Sequence, residues 1–272
     1  MSKFFGLKRK AEKLFVLIGT YNHESFISQA IEGALAQRVD MPFRILVRDD
    51  ASTDRTAEIV ASYAKSNRGK LLPILYKENQ HLLGRGWAGD LFQRVSRLAR
   101  FTDREKVYVA LCEGDDFWTD TTKLQRQVDF LRANPTAALV HHGFQVITEE
   151  GGNKEYEGAL RNHLSHFEPH PPLRKGSDLL DGNFIMTCAV MMRLSGWSRR
   201  ERRGRPAGVL GDWVNAVVAS RGRMVGFINR EMSTYRVHRG GEHSTLSYER
   251  QKLATERTVS YLGTLRWRGS IS

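Results

Sequence analysis

Four short apolar runs, each followed by a stretch with helical periodicity, set the tightest limit on how this chain folds. The runs are LFVLIG at 14–19, FRILV at 43–47, LLPILY at 71–76 and VYVAL at 107–111. Each is short and bounded by polar turn residues, so each reads as a strand, the first and fourth of them buried. After them come FISQAIEGALAQ, TAEIVASYAKS, WAGDLFQRVSRLAR and KLQRQVDFLRANP, respectively. Their apolar residues recur every three or four positions, the spacing of one helix face. Ser25 is the expected N-cap of the first helix, and Pro135 closes the last. This alternation predicts an α/β fold with a mostly parallel central sheet and helices on both faces. Ligands of such sheets gather beyond the carboxyl ends of the strands.

The second half is less regular. AALVHHGFQVI at 137–147 reads as a strand, and the polar residues 148–176 as loop. NFIMTCAVMMR reads as another strand. GDWVNAVVAS begins a helix with Asp212 at its N-cap or first turn. RMVGFI and STYRV read as two short strands, and from about Ser244 the chain has helical character. His141 and His142 are adjacent on a strand, so they face opposite ways and do not share a metal.

Charge and cysteine content narrow the function. The net charge is +12 and the pI about 9.9, which favours anionic partners. Basic clusters lie between Lys8 and Lys13 and in SRRERRGR at 198–205, but aromatics do not alternate with them as in a base-stacking platform. With two cysteines, Cys112 and Cys188, there is no disulfide framework, and a reducing cytoplasm is the expected location. No apolar run approaches the roughly 20 residues of a membrane helix, and MSKFFGLKRKAEK lacks the apolar core of a signal peptide.

Three polar turns fall at predicted strand ends: TYNHE after the first, DDASTD after the second and EGDD after the fourth. In EGDD, Glu113, Asp115 and Asp116 crowd negative charge beside a buried strand, which is unfavourable unless a cation answers it or a helix N-terminus accepts it. Oxygen ligands suit Mg²⁺ or Mn²⁺. Along an extended segment Glu113 and Asp115 point one way and Asp116 the other, unless Gly114 lets the backbone turn. Asp49, Asp50 and Asp54 cluster in the second turn, where Ser52 or Thr53 can cap the next helix. Thr20, Tyr21 and Asn22 offer two hydroxyls and an amide to a base or ribose.

The segments LFVLIGTYNHESFISQAIEGALAQ, ILVRDDASTDRTAEIV and VALCEGDDFWTDTTKLQRQVDFL together resemble the family 2 glycosyltransferases of the GT-A fold. The resemblance is strong over about 14–135 and continues through GDWVN and YRVHRGGEHS. It implies a nucleotide-sugar half at 14–140, an acceptor half at 141–243, a helical tail at 244–272 and a basic extension at 1–13. It implies that Thr20, Tyr21, Asn22, Glu24, Asp49 and Asp50 hold the nucleotide, with Asp50 on the base. Glu113 stands at the outer position of the Asp-X-Asp element, Asp115 on the ribose or sugar, and Asp116 on the metal, with His238 completing the metal site or contacting the diphosphate. Asp212 is implied as general base and Arg85 as a phosphate contact. The implied reaction inverts the anomeric centre by single displacement, with Mn²⁺ or Mg²⁺ as cofactor and a nucleotide-diphosphate sugar, UDP-sugar foremost, as donor. The acceptor is a glycan, a lipid-linked glycan, a protein or a small molecule, as in cell-surface polysaccharide or secondary-metabolite synthesis. The basic surface adds peripheral contact with the anionic inner face of the membrane.

Two rival readings remain open at this stage. A sugar-nucleotide nucleotidyltransferase would want a glycine-rich basic loop after the first strand, which TYNHES is not. A basic nucleic-acid-binding module leaves three acidic strand ends that would repel phosphate. GRGWAG at 84–89 matches a dinucleotide fingerprint but does not directly follow a strand.

Overall fold

A computed structural model of the 272-residue chain describes residues 12–81, 86–166, 168–197, 206–241 and 245–265. Its first half is a run of β–α units: β1 (Lys13–Thr20), α1 (Ile27–Leu35), β2 (Phe43–Asp49), α2 (Thr56–Ser66), β3 (Leu71–Leu75), α3 (Trp87–Leu98) and β4 (Val107–Glu113). Then follow β5 (Phe117–Trp118), α4 (Lys123–Ala133), β6 (Ala137–Thr148), α5 (Lys154–Ser165), β7 (Leu173–Lys175), β8 (Met191–Arg193), α6 (Gly211–Ala219), β9 (Met224–Val237) and α7 (Tyr248–Thr264). One sheet runs in the order β3-β2-β1-β4-β8-β6-β9-β5, and β7 pairs with β9. The pairs among β3, β2, β1 and β4 are parallel, as is β6 with β9; β8 is antiparallel to both of its neighbours.

Alternation along the strands divides the core in two. Phe15, Leu17, Val109 and Leu111 face α3 and α6, while Leu14, Val16, Ile18 and Ala110 face α1 and α4. The helices meet these faces with residues three or four apart, such as Ile27, Ala30, Ile31 and Ala34 of α1 and Ala88, Leu91, Phe92 and Val95 of α3. Each fully buried Leu, Ile or Val contributes about 1.5–3 kcal/mol, which fixes the carboxyl ends of β1, β2 and β4 side by side.

Four local expectations change. The segment 148–176 is not all loop: it carries α5. That helix buries none of its residues, so no core-directed stripe announced it; Asn153 caps it by accepting a hydrogen bond from the Tyr156 amide. NFIMTCAVMMR is strand only at Met191–Arg193. RMVGFI and STYRV are parts of the single long strand β9, whose register with β6 slips near Gly143. Ser25 does not cap α1; the amides of Phe26 and Ile27 donate to the His23 carbonyl instead, at 2.9 and 2.8 Å. His141 packs among His170, Phe184 and Phe227, whereas the His142 Nδ1 meets the Gly143 carbonyl oxygen. Arg85, the first eleven residues of the basic extension and SRRERRGR lie outside the described residues.

Candidate active site

The pairing of Gly19 with Glu113 brings the loops after β1 and β4 together, and the Gly114 amide donates to the Gly19 carbonyl at 2.8 Å. A Cβ on Gly114 would stand 2.5 Å from Thr20 Oγ1 and 2.9 Å from His23 Nδ1. Close approach, not a left-handed backbone, is therefore what position 114 demands, since its φ is not among the positive values. Thr20 Oγ1 and His23 Nδ1 are both buried without a hydrogen-bond partner.

The loop then splits its two aspartates. Asp115 turns toward two imidazoles: His238 Nε2 lies 3.1 Å and His23 Nε2 3.6 Å from its Oδ2. Ligand atoms of His23, Asp115 and His238 all lie within 4.8 Å of one another. Burial raises the Asp115 pKa, but the His238 hydrogen bond and the neighbouring imidazoles outweigh it and hold the carboxylate below its ordinary value. Burial lowers that of His23 and favours its neutral, ligating form. The Gly240 amide donates to His238 Nδ1 at 3.2 Å, so in this arrangement Nε2 carries the imidazole proton and donates to Asp115; holding a cation at Nε2 requires the other tautomer, with the proton on Nδ1 and the Gly240 contact given up. Two imidazoles and a carboxylate suit Mn²⁺ better than Mg²⁺, which prefers all-oxygen ligands.

Asp116 goes the other way. It is 1% exposed, its Oδ1 accepts from the Arg236 amide at 2.9 Å, and its Oδ2 is buried without a partner. Burial, then the Asp115 charge, pushes its pKa well above the ordinary value and favours the neutral acid. The expected placing of Asp116 beside His238 is not seen: in the turn after β4, Asp115 meets His238 while Asp116 faces into the protein. Arg236 clasps this loop from β9, donating from Nε to the Asp115 carbonyl at 2.8 Å and from Nη2 to Gln29 at 2.7 Å, and pairing with Glu149.

The first and second turns are stapled together. Asn22 Oδ1 accepts from the Thr53 amide at 2.8 Å, and Glu24 Oε2 from the Arg55 amide at 3.0 Å. Asn22 has a φ of 54°, in the left-handed region that asparagine tolerates. Asp49 closes its own turn on Ser52, by its amide at 3.1 Å and its hydroxyl. Asp50 holds the segment after β3: its oxygens accept from the amides of Gln80 and His81, at 2.9 and 3.0 Å, and from Arg48 at 3.0 Å. Every oxygen of this acidic pair therefore already accepts a hydrogen bond within the chain. Tyr21, in the turn after β1, is 43% exposed.

Asp212 lies in the first turn of α6, not at its N-cap, and is exposed; its Oδ2 accepts from Asn183 Nδ2 at 3.1 Å. Glu113 ends β4, half-buried. The hydroxyl of Tyr156 on α5, 3.3 Å from that of Tyr235, connects these groups: burial raises its pKa, and so do the charges of Asp212, Glu113 and Asp116. Tyr156 of α5 therefore feels the charges of both the α6 start and the β4 loop. Sequence reading missed His23, Arg236, Asn183 and Tyr156. His23 was findable, since it sits inside the first turn; the others reach the site only through the chain reversals of the second half.

The family model described as "Glycosyl transferase family 2" matches residues 15–195. Proteins of uncharacterised function from Mycobacterium bovis and Mycobacterium tuberculosis are 32% identical over 252 residues, which cover 90% of this chain. The chain spans 65% of the length of those relatives. Among solved structures, S. aureus TarS 1–349 in complex with UDP-GlcNAc superposes with a TM-score of 0.61 at 18% identity, covering 90% of this chain and 66% of that one. The mannosyltransferase PcManGT from Pyrobaculum calidifontis, in complex with GDP-Man and Mn²⁺, gives 0.55 at 18% identity, covering 86% and 59%. These superpositions establish the GT-A fold for the sheet described above.

Proposed function

The chain belongs to glycosyl transferase family 2, and on that premise we propose that it is an inverting, Mn²⁺-dependent glycosyltransferase acting on a nucleotide-diphosphate sugar. The observation that carries the reading is the convergence of His23, Asp115 and His238, from three separate segments, at the carboxyl ends of β1 and β4. Buried Thr20 Oγ1 and His23 Nδ1 beside them, lacking protein partners, fit a site built for a bound group. His23, Asp115 and His238 would hold the ion. When bound it supplies positive charge that offsets the charge developing on the departing diphosphate.

The remaining roles fall to the chain's own groups. Tyr21 and the stapled turns around Asn22, Glu24, Asp49 and Asp50 frame the base and ribose; Asp49 and Asp50 act chiefly by holding those turns. Glu113 lines the sugar side. Asp212 accepts the proton of the acceptor hydroxyl as it attacks the anomeric carbon opposite the leaving group. UDP-sugar is the leading donor, since a fold neighbour holds UDP-GlcNAc, with GDP-sugar the alternative given by another. The acceptor is a glycan, lipid-linked or small-molecule hydroxyl. No described helix is long and apolar enough to cross a membrane, and peripheral contact with an anionic surface rests on the +12 charge. Neither rival gains support: the first turn carries no phosphate-binding glycine loop, and acidic residues cluster in the turns after β2 and β4.

Incubating the protein with a panel of UDP- and GDP-sugars tests the proposal through slow hydrolysis, in which water replaces the acceptor. Mn²⁺-dependent release of nucleoside diphosphate from at least one donor, reduced to a small but measurable residual rate in Asp212→Asn, is expected. No release from any donor, with or without Mn²⁺, would overturn it.

A further inference from the structure

Asn183 lies between β7 and β8 and belongs to no described strand or helix, yet its side-chain oxygen, side-chain nitrogen and backbone carbonyl are each engaged. Its side-chain oxygen accepts from the Ile185 amide at 3.2 Å. That backbone donor settles which end of the amide is which, so the opposite end, Nδ2, is the one 3.1 Å from Asp212 Oδ2. Its backbone carbonyl oxygen lies 2.8 Å from His163 Nε2, near the end of α5. A carbonyl only accepts, so His163 donates there. Among the described residues the Asp212 carboxylate meets no other hydrogen-bond donor, and its exposed position in the first turn of α6 would otherwise leave the side chain free to rotate.

We propose that Asn183 is a positioning residue for Asp212, held in turn by His163 of α5, so that one carboxylate oxygen is pinned and the other is left to face the acceptor hydroxyl. The proposal rests on Asp212 as general base. It also gives α5 a purpose: a helix that buries none of its residues is tied down by polar contacts at Thr148–Glu157, Tyr156–Tyr235 and His163–Asn183. The amide donates to the ionised carboxylate without competing for its proton, as an orienting partner must.

The test is a double-mutant cycle on Mn²⁺-dependent hydrolysis of whichever sugar nucleotide the wild-type protein cleaves, water serving as the acceptor. One hydrogen bond to a charged group predicts that Asn183→Ala lowers kcat about tenfold. The donor KM and the melting shift given by UDP with Mn²⁺ stay unchanged. In the Asp212→Asn background the same substitution has no further effect, because there is no base left to orient. His163→Ala follows Asn183→Ala in the same direction with a smaller loss. An equal loss in both backgrounds, or no loss in either, overturns the role of Asn183. An Asp212→Asn protein with full turnover removes the base assignment instead, and a wild-type protein that hydrolyses nothing removes the enzymatic reading.

Discussion

Replacing Gly114 with alanine puts a methyl carbon 2.5 Å from Thr20 Oγ1, 2.7 Å from Thr20 Cβ and 2.9 Å from His23 Nδ1. All three contacts are too short to keep, and neither neighbour is the far end of a flexible chain: Thr20 is 5% exposed and ends β1, and His23 is seated beside His238 with ring centroids 5.9 Å apart. The backbone φ is not the obstacle, so serine should fare as badly as alanine. Overpacking of this kind costs about 1–3 kcal/mol. For a domain of this size each kcal/mol is worth roughly 2–4 °C, which gives a Tm lower by about 2–12 °C. The functional loss should exceed the structural one, because the atoms that must move are those proposed to hold the ion. Calorimetric titration of UDP in the presence of Mn²⁺ is expected to weaken by about tenfold or more, a change of about 1.4 kcal/mol. Adding Thr20→Gly removes two of the three clashes and should recover part of the Tm. A Gly114→Ala protein with the wild-type Tm and affinity would refute the close-approach explanation.

Other consequences follow from groups away from that contact. Gly89 lies inside α3 and a Cβ there meets nothing within 4 Å, so Gly89→Ala should raise stability by about 0.5–1 kcal/mol in chemical denaturation. Lys123 is fully buried, donates to Gln127 at 2.8 Å and has its pKa lowered to about 7 by burial. The unfolded chain then binds a proton that the folded one lacks between about pH 7 and 10.5, so this lysine makes stability rise with pH across that window. Lys123→Met should flatten that rise in urea titrations; an unchanged slope would mean that the amine stays charged in the fold. Vesicles containing acidic lipid should sediment the protein at low salt and release it at high salt, while zwitterionic vesicles leave it in solution; equal behaviour with both would remove the membrane contact.

Much of the first half could be read in advance because its physics is local. β1 and β4 are nearly unbroken apolar runs, β2 holds Ile-Leu-Val between two arginines, and the faces of α1 to α4 repeat every three to four residues, so all were visible in the letters. The same letters located the acidic turns but not what each acid does. Asp49 and Asp50 look like a ligand pair, yet the partners of Asp50 include backbone amides some 30 residues away, which no spacing rule reveals. That His238 meets Asp115 rather than Asp116 turns on which side of the turn after β4 it arrives, and His238 follows the far end of β9, more than 120 positions along the chain. α5 escaped notice for a different reason: it has no core face, and its meaning lies in polar contacts made by Tyr156 and His163.

The most direct test of the account is calorimetric titration of Mn²⁺ with UDP into two isosteric variants, Asp115→Asn and Asp116→Asn. Asp115→Asn is predicted to abolish the Mn²⁺-dependent part of UDP binding. Asp116→Asn, which alters a buried side chain that faces the Arg236 amide and not His23 or His238, is predicted to retain most of it. Loss in Asp116→Asn with retention in Asp115→Asn would contradict the site as built here.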